Sequence, residues 1–260
     1  MLDSQVRSLP ITNTFLCNDS GLQDRGPLYA AFMAARTLLV DIDHDAKCYA
    51  NSVLPPIPQE KRRFPNVRGL CSSSDKGKRL EFQISRSLSK DVKGRFVYVA
   101  LTSDPNPKEI VVKFTRMYGK GLHEFCAQKE YAPKLLAYER LAGDWIGVAM
   151  EFVTSACHLT KSEFRQECEQ QWLGEMDKMV AAIHDADYVH GDLRLPNFIA
   201  DRKKLFLIDF DWGGKEGEAT FPDTTLLPIL RNARNDVMIT KADDIRVLQD
   251  TKKALQGYIE

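Results

Sequence analysis

Two short stretches decide the fold that this sequence predicts: HGDLRLPN at residues 190–197 and LIDFD at residues 207–211. Asp192 and Asn197 lie in the first stretch, and Asp209 ends the short apolar run of the second. Phosphoryl transfer needs a carboxylate that orients the attacking hydroxyl, and an amide oxygen with a further carboxylate that hold Mg²⁺. The three residues occur in that order on adjacent segments, so the pattern indicates a site for this chemistry.

A lysine in the upstream part of the chain completes the set. Residues 111–114 read Val-Val-Lys-Phe, which predicts a strand with Lys113 inside it. A strand lysine taken alone is most often a solvated edge residue. Because a nucleotide phosphate needs a cation, the three acidic and amide residues downstream make Lys113 a candidate phosphate ligand.

Short strands and one short helix are predicted between Arg79 and the middle of the chain. Three β-rich runs, at 80–84, 95–101 and 109–114, are separated by turn residues, and an antiparallel meander is their simplest arrangement. A helical stretch at 122–129 and another strand at 146–152 follow.

The second half of the chain is mainly helical in its pattern. Apolar residues at helical spacing predict one face of a long helix: Trp172, Leu173, Met176, Met179, Val180 and Ile183. Two brief strands follow at 198–200 and 205–210.

These patterns divide the chain into three parts. Residues 1–78 form an N-terminal extension with one amphipathic helix at about 27–40, residues 79–153 a small sheet lobe, and residues 154–260 a helical lobe. The helix of the extension either packs on the rest of the chain or serves as an interaction arm.

The first stretch meets every fixed position of the pattern H-x-D-L-x-x-x-N, and the chain from about 79 to 250 resembles the protein-kinase-like superfamily. The resemblance is to the branch of fungal kinase-like proteins and of aminoglycoside- and choline-kinase-type enzymes. It implies an α+β, two-lobed protein-kinase-like fold, with a small antiparallel β N-lobe and a shortened, mainly helical C-lobe.

The resemblance assigns a role to each matching position. It implies that Asp192 is the catalytic aspartate, that Asn197 and Asp209 are the Mg²⁺ ligands, and that Lys113 binds the ATP phosphates. Arg194 lies where protein serine/threonine kinases carry a lysine, and its guanidinium is suited to stabilise the transferring phosphoryl group.

Two further contacts follow from the same resemblance. The stretch AMEFV resembles the hinge between lobes, so the Glu151 carbonyl and the Val153 amide are expected to bind adenine. A glutamate on the short helix normally pairs with the phosphate lysine. Counting back from a later proline puts His123 at that position, and we favour its neighbour Glu124 as the partner of Lys113.

Several positions depart from the family pattern. The sequence has Asp-Phe-Asp where protein kinases have Asp-Phe-Gly, and Gly191 replaces an arginine that normally pairs with a phosphorylated segment. The loop at 85–94 has Gly94 as its only glycine. Asp243 or Asp244 is the candidate for an aspartate that braces the catalytic loop from a later helix.

Composition restricts the partners and the compartment. Lys+Arg 36 balances Asp+Glu 36, which argues against a basic nucleic-acid clamp, and no apolar run is long enough to span a membrane. The six cysteines form no C-x-x-C pair, so we expect reduced thiols in the cytoplasm or the nucleus rather than a zinc site.

The sequence thus predicts an ATP- and Mg²⁺-dependent phosphotransferase that acts on a hydroxyl-bearing protein or small molecule. The alternative is a non-catalytic pseudokinase that serves as a nucleotide-binding scaffold, which the missing glycine pattern and the short helical lobe favour.

Overall fold

The computed structural model describes six segments of the chain: 22–49, 67–75, 77–88, 95–141, 144–222 and 238–257. The chain divides into two compact units, residues 1–65 with 141–144, and residues 66–140 with 145–260. In the first unit the structure describes helix α1 (Leu22–Tyr49), which contains the predicted helix at 27–40 and extends beyond both of its ends. Within the described segments, none of the helices has the length and apolar character that a bilayer crossing requires.

A six-stranded antiparallel sheet forms the first lobe of the second unit. Its strands, with α2 between the fourth and the fifth, are β1 (Gly69–Cys71), β2 (Arg79–Ser87), β3 (Phe96–Thr102), β4 (Glu109–Thr115), α2 (Lys120–Gln128), β5 (Leu135–Leu141) and β6 (Trp145–Glu151). The spatial order is β1-β2-β3-β4-β6-β5. The predicted meander is confirmed for β2, β3 and β4, whereas β1 and β5 were not predicted from the sequence.

The two outer strands of this sheet meet each other. Ser72 forms a bridge to Ala137 of β5, and the Ser73 N–H donates to the Leu136 carbonyl at 2.9 Å. The strands therefore curve round so that β1 lies beside both β2 and β5. Apolar side chains fill the inside, among them the fully buried Tyr98 and Val112.

Strand β4 presents one apolar face and one mixed face. Ile110, Val112 and Phe114 are buried in the sheet core, as strict alternation requires. Lys113 lies on the opposite face, which β4 shares with Met150 of β6 and its neighbours. Alternation thus turns the lysine away from the apolar core and towards the helical lobe.

The helical lobe is built around α3 (Arg165–Asp185). All six residues of the predicted apolar face are buried there, and Trp172 and Met176 are fully inaccessible to solvent. The prediction of this helix and of its inward face is confirmed. Burial of such large side chains supplies the main stabilisation of the lobe, at roughly 1.5–3 kcal/mol for each.

Short strands complete the second lobe and carry the loops of interest. They are β7 (Cys157–His158), β8 (Tyr188–Val189), β9 (Phe198–Ala200), β10 (Leu205–Leu207) and β11 (Gly214–Lys215). In the β9–β10 hairpin Phe198 pairs with Leu207, so Asn197 and Ile208 lie opposite each other just outside the pairing. The chain reversal thus brings the two predicted stretches side by side.

Helix α4 (Lys241–Gly257) fixes the loop that contains the HGD sequence. The buried Asp244 carboxylate accepts hydrogen bonds from the His190 N–H at 2.8 Å and the Gly191 N–H at 2.7 Å. The His184 Nε2 is 3.2 Å from the same carboxylate. Of the two aspartates considered, Asp244 makes this contact.

Gly191 is required by the backbone at this point. Its φ is +79°, a region that L side chains rarely adopt, and a Cβ there would lie 2.6 Å from Ile239 Cδ1. An arginine at this position is therefore excluded by backbone conformation and by packing.

Replacing Asp244 by asparagine should destabilise the protein. The amide keeps one acceptor oxygen but directs an NH₂ donor towards backbone N–H groups, which leaves a buried donor unsatisfied. We expect the unfolding free energy to fall by about 1–3 kcal/mol in urea denaturation. The exposed Asp250→Asn on the same helix is the matched control, and equal effects of the two substitutions would contradict the bracing role.

Candidate active site

Lys113 lies at the boundary between the lobes, between two carboxylates. Its ammonium forms ion pairs with Asp209 Oδ1 and, at 2.6 Å, with Asp211 Oδ1, and only 11 % of its side chain is exposed. Burial lowers the pKa of Lys113, but the charges of Asp211 and Asp209 outweigh this effect and raise it above the ordinary lysine value. The lysine therefore stays charged.

Asp209 follows β10 in a strained backbone conformation. Its φ of +69° is in the left-handed region, where a residue with a side chain is uncommon. Its second oxygen lies 3.9 Å from Arg95 Nη2. Burial, the largest single effect, raises the pKa of Asp209, but the charge and hydrogen bond of Lys113 and the charge of Arg95 together hold the pKa below its usual range. This carboxylate is therefore ionised and available to a cation.

Asp211 is a functional candidate that was not singled out from the sequence. Besides the pairing with Lys113, its Oδ2 accepts a hydrogen bond from Thr115 Oγ1 at 3.1 Å. Burial and the neighbouring charge of Asp209 raise the pKa of Asp211 despite the attraction of Lys113. The signal in the sequence was the Asp-x-Asp spacing, which places a second carboxylate two residues after Asp209.

Asp192 and Arg194 form a two-point ion pair. Arg194 Nε bonds to Asp192 Oδ1, and its Nη2 lies 2.8 Å from Asp192 Oδ2. The Asp192 N–H donates to His190 Nδ1 at 3.2 Å, and burial lowers the pKa of His190. The neutral ring thus serves as an acceptor that shapes the loop, in agreement with a packing role for this histidine.

Asn197 is buried beside Asp192 and Asp209. Its Nδ2 donates to the Asp192 carbonyl at 2.8 Å, and its own carbonyl accepts from the Ile208 N–H at 2.9 Å. The side-chain oxygen of Asn197 and the Asp209 carboxylate are hard oxygen donors, the type that Mg²⁺ prefers. Among the described residues no three His, Cys, Asp or Glu side chains form a metal site by themselves. Mg²⁺ at nucleotide sites is typically held by one or two carboxylates together with phosphates, so these donors fit it.

Several of these charged groups line one cavity of about 400 Å³. Asp192, Asp209, Asp211 and Lys113 all line it, together with aromatic side chains and two arginines. Three acidic groups and a buried amine that line one cavity indicate a site for an anionic ligand with its cation.

The remaining predicted residues lie elsewhere. Glu124, Glu151 and Val153 line a second, more open cavity of about 1210 Å³, whose wall includes neither Lys113 nor Asp209. Size alone would favour this second cavity, but the ionised groups suited to phosphoryl transfer line the smaller one. The Glu151 carboxylate accepts from the Lys134 N–H at 3.3 Å.

The ion pair expected between Glu124 and Lys113 is not formed. Glu124 pairs instead with Lys120 at 3.1 Å, one helical turn away on the exposed side of α2. Successive residues of a helix point about 100° apart, so the inward direction belongs to His123 and the outward direction to Glu124. The prediction that Glu124 is the ion-pair partner of Lys113 was therefore wrong.

His123 ties α2 to the Asp-Phe-Asp segment. Its ring stacks on Phe210 at a centroid distance of 4.5 Å, Nδ1 lies 2.7 Å from the Tyr118 hydroxyl, and Nε2 lies 2.7 Å from the Pro133 carbonyl. Burial lowers the pKa of His123 to about 4. Close to it, a Cβ on Gly119 would lie 2.1 Å from the Gly213 carbonyl oxygen, so α2 begins in direct backbone contact with this segment.

The depressed pKa of His123 predicts a pH-dependent stability. The unfolded chain binds a proton here near pH 6.5 and the folded protein only near 4, so this contribution is complete above pH 6.5 and is lost as the pH falls through that interval. Between pH 7 and 4.5 the unfolding free energy of the wild type should fall further than that of His123→Gln, by on the order of 2–3 kcal/mol. Urea denaturation at both pH values measures this, and parallel losses in the two proteins would refute it.

Comparison with known proteins supports the architecture. The family model described as RIO domain matches residues 76–212, more than half of the chain. Comparison with curated proteins gives no match. The solved structure of the kinase PK-1 from Cydia pomonella granulovirus is similar at a TM-score of 0.54 and 16 % identity, over 67 % of this chain and 70 % of the viral chain. At that identity the viral enzyme supports the fold alone. Together with the sheet lobe, the helical lobe and the HGD loop, the match over residues 76–212 shows that this chain belongs to the RIO domain family and has a protein-kinase-like fold.

Proposed function

We propose that this protein is an ATP- and Mg²⁺-dependent phosphotransferase that moves the γ-phosphoryl group to a hydroxyl acceptor. The observation that carries the proposal is that Lys113, Asp192 and Asp209 line the same cavity. Membership of a kinase-like family supports it. Catalysis of this kind depends on positioning and on neutralising charge, and both are properties of fixed ionic groups.

Nucleotide binding is proposed for two segments of the sheet lobe, strand β4 and the residues after β6. Lys113 would contact the phosphates, because it is a buried cation held by two carboxylates at the cavity. The Glu151 carbonyl and the Val153 N–H would bind adenine through the backbone. Val153 lies two residues after the end of β6, and its own carbonyl already accepts the Ala156 N–H at 3.2 Å in a turn that fixes this segment.

Asn197 and Asp209 would hold Mg²⁺. The ion would neutralise phosphate charge and thereby make the γ-phosphoryl group a better electrophile. Their contribution is a fixed pair of oxygen donors, which the hydrogen bonds of Asn197 and the strained backbone of Asp209 keep in place.

Asp192 would orient the acceptor hydroxyl and take up its proton. In the structure Arg194 occupies one acceptor site on each of its oxygens, and the remaining lone pairs can still accept an incoming hydroxyl. Arg194 would then turn towards the transferring group, which gains a stabilising cation as charge develops. Nearly half of the Arg194 side chain is exposed, which leaves room for this movement.

The acceptor is proposed to be a hydroxyl-bearing protein side chain or small molecule, without a nucleic-acid or membrane partner. Aromatic side chains of Phe96, Trp145 and Trp212 line the cavity that contains Asp192, and they suit an acceptor with an apolar portion. Cys71, Cys126, Cys157 and Cys168 are free thiols, which supports a reducing, cytoplasmic location.

A non-catalytic nucleotide-binding module is the second candidate. It is favoured by the same Asp192–Arg194 pair, because the guanidinium competes with a hydroxyl acceptor for the Asp192 carboxylate. The two candidates differ in the effect of removing Asp192, which should abolish turnover in an enzyme and leave nucleotide affinity unchanged in both.

Asp209→Ala should remove the Mg²⁺ dependence of nucleotide binding. In the wild type, ATP should raise the melting temperature more with Mg²⁺ than with a chelator, since ligand binding to the folded state stabilises it. The variant should show equal shifts in both buffers. The exposed Asp185→Ala is the control, and a variant that retains the full Mg²⁺ effect would contradict the proposed metal role.

Asp192→Ala should lower kcat by a factor of about 10²–10⁴ with little change in KM for ATP. ATP turnover against a panel of hydroxyl acceptors measures this. Unchanged turnover in the variant would exclude Asp192 as the base, and the absence of turnover in the wild type with every acceptor would favour the binding module.

A further inference from the structure

The phosphate lysine of this protein has an unusual pair of anchors. In the part of the chain that the structure describes, Lys113 is paired with Asp209 and Asp211, which both belong to the segment after β10. Helix α2 contributes no charge to it, since its inward residue is the uncharged His123 and Glu124 is occupied by Lys120. The anchoring of the lysine therefore falls to one short segment of the helical lobe.

Asp211 is connected to the sheet lobe at two points. One oxygen pairs with Lys113 at 2.6 Å, and the other accepts from the Thr115 hydroxyl at 3.1 Å. Lys113 and Thr115 are two residues apart on β4 and hence on the same face of the strand. The Thr115 hydroxyl also has the Met117 carbonyl as an acceptor at 3.1 Å. The Asp211 carboxylate thus spans two neighbouring side chains of the strand that carries the lysine.

If the proposed function holds, Asp209 and Asp211 have different roles. Asp209 is the proposed Mg²⁺ ligand, and a carboxylate that turns its oxygens to a cation holds a nearby ammonium less firmly. Asp211 follows Phe210 in the sequence and has no assigned metal role. A buried amine that loses its partner is strongly destabilised, so a lysine with a single partner would be released as the metal binds.

We propose that Asp211 is the positioning residue of Lys113 and does here what a carboxylate on α2 would otherwise do. It keeps the ammonium at the cavity while Asp209 binds Mg²⁺. Phosphate binding by Lys113 and metal binding by Asp209 thus depend on different carboxylates. The inference rests on the proposed function for its nucleotide part, whereas the pairing itself is a property of the protein without ligand.

One consequence concerns α2. Because the lysine is anchored by the segment that also carries the metal ligand, removal of the Glu124 carboxylate leaves both partners of Lys113 in place. Glu124→Gln is therefore a matched control, since it removes one carboxylate from the nearest helix without touching either partner of Lys113.

A double-mutant cycle on the protein without nucleotide tests the pairing. Asp211→Asn and Lys113→Gln should each lower the melting temperature, and the double variant should lower it by clearly less than the sum, because it leaves no unpaired buried charge between them. The cycle of Glu124→Gln with Lys113→Gln should be additive. An additive result for Asp211 and Lys113 would overturn the inference whether or not the protein is a kinase.

Nucleotide affinity tests the positioning role. By calorimetric titration with ADP, Asp211→Asn should weaken binding about tenfold or more both with Mg²⁺ and with a chelator, since the lysine contact does not require the metal. Asp211→Glu should restore part of the affinity, and the exposed Asp185→Asn should bind as the wild type does. Turnover of Asp211→Asn should then show a raised KM for ATP with a smaller change in kcat.

The outcomes separate the inference from the proposed function. Loss of affinity only when Mg²⁺ is present would make Asp211 a metal ligand and would overturn the positioning role. Equal affinity of the wild type and Asp211→Asn would overturn it as well. A wild type that binds no nucleotide would refute the proposed function, and it would also overturn the nucleotide part of the inference even where the cycle is non-additive.

Discussion

One ammonium group shared by two carboxylates sets the geometry of the cleft. Lys113 belongs to a strand of the sheet lobe, whereas Asp209 and Asp211 belong to the helical lobe, so every part of this cluster depends on the two lobes staying close. A buried cation that loses its carboxylate partners while it stays buried is left uncompensated, which makes the loss of either carboxylate costly. The left-handed backbone of Asp209 is tolerated for the same reason, because the charge interaction holds the side chain where the strain places it.

Uncharged contacts hold the rest of the boundary between the lobes. The ring of His123 lies flat against Phe210, and Tyr118 packs against both at centroid distances of 5.8 and 6.4 Å. The charged groups lie on the cavity side of Phe210 and the aromatic groups on its α2 side. The Asp-Phe-Asp segment is therefore held by ion pairs on one side and by aromatic packing on the other. Together these contacts fix its position.

The sequence was most informative where the chain is locally continuous. Asp192 and Asn197 are five residues apart on one loop, and a short hairpin returns the chain to Asp209, so spacing alone predicted their proximity. Spacing could not choose between His123 and Glu124, because a shift of one residue on a helix exchanges inward and outward directions. Strands β1 and β5 were missed because a strand of three residues has too few positions to show alternation, and because β5 acquires its place only through pairing with distant residues. Local sequence patterns could not predict the partners of Lys113 either, because Asp209 and Asp211 are distant from it in the sequence.

The backbone contact between Gly119 and Gly213 restricts how relatives of this chain can diverge. With 2.1 Å from an added Cβ on Gly119 to the Gly213 oxygen, no side chain of any chemistry fits between the start of α2 and the end of the Asp-Phe-Asp segment. A Cβ on Gly213 would in turn lie 2.4 Å from Leu122 Cδ2. A homologue that replaces Gly119 must therefore move the start of α2 away from Gly213, whereas one that replaces Gly213 needs a new position for the Leu122 side chain.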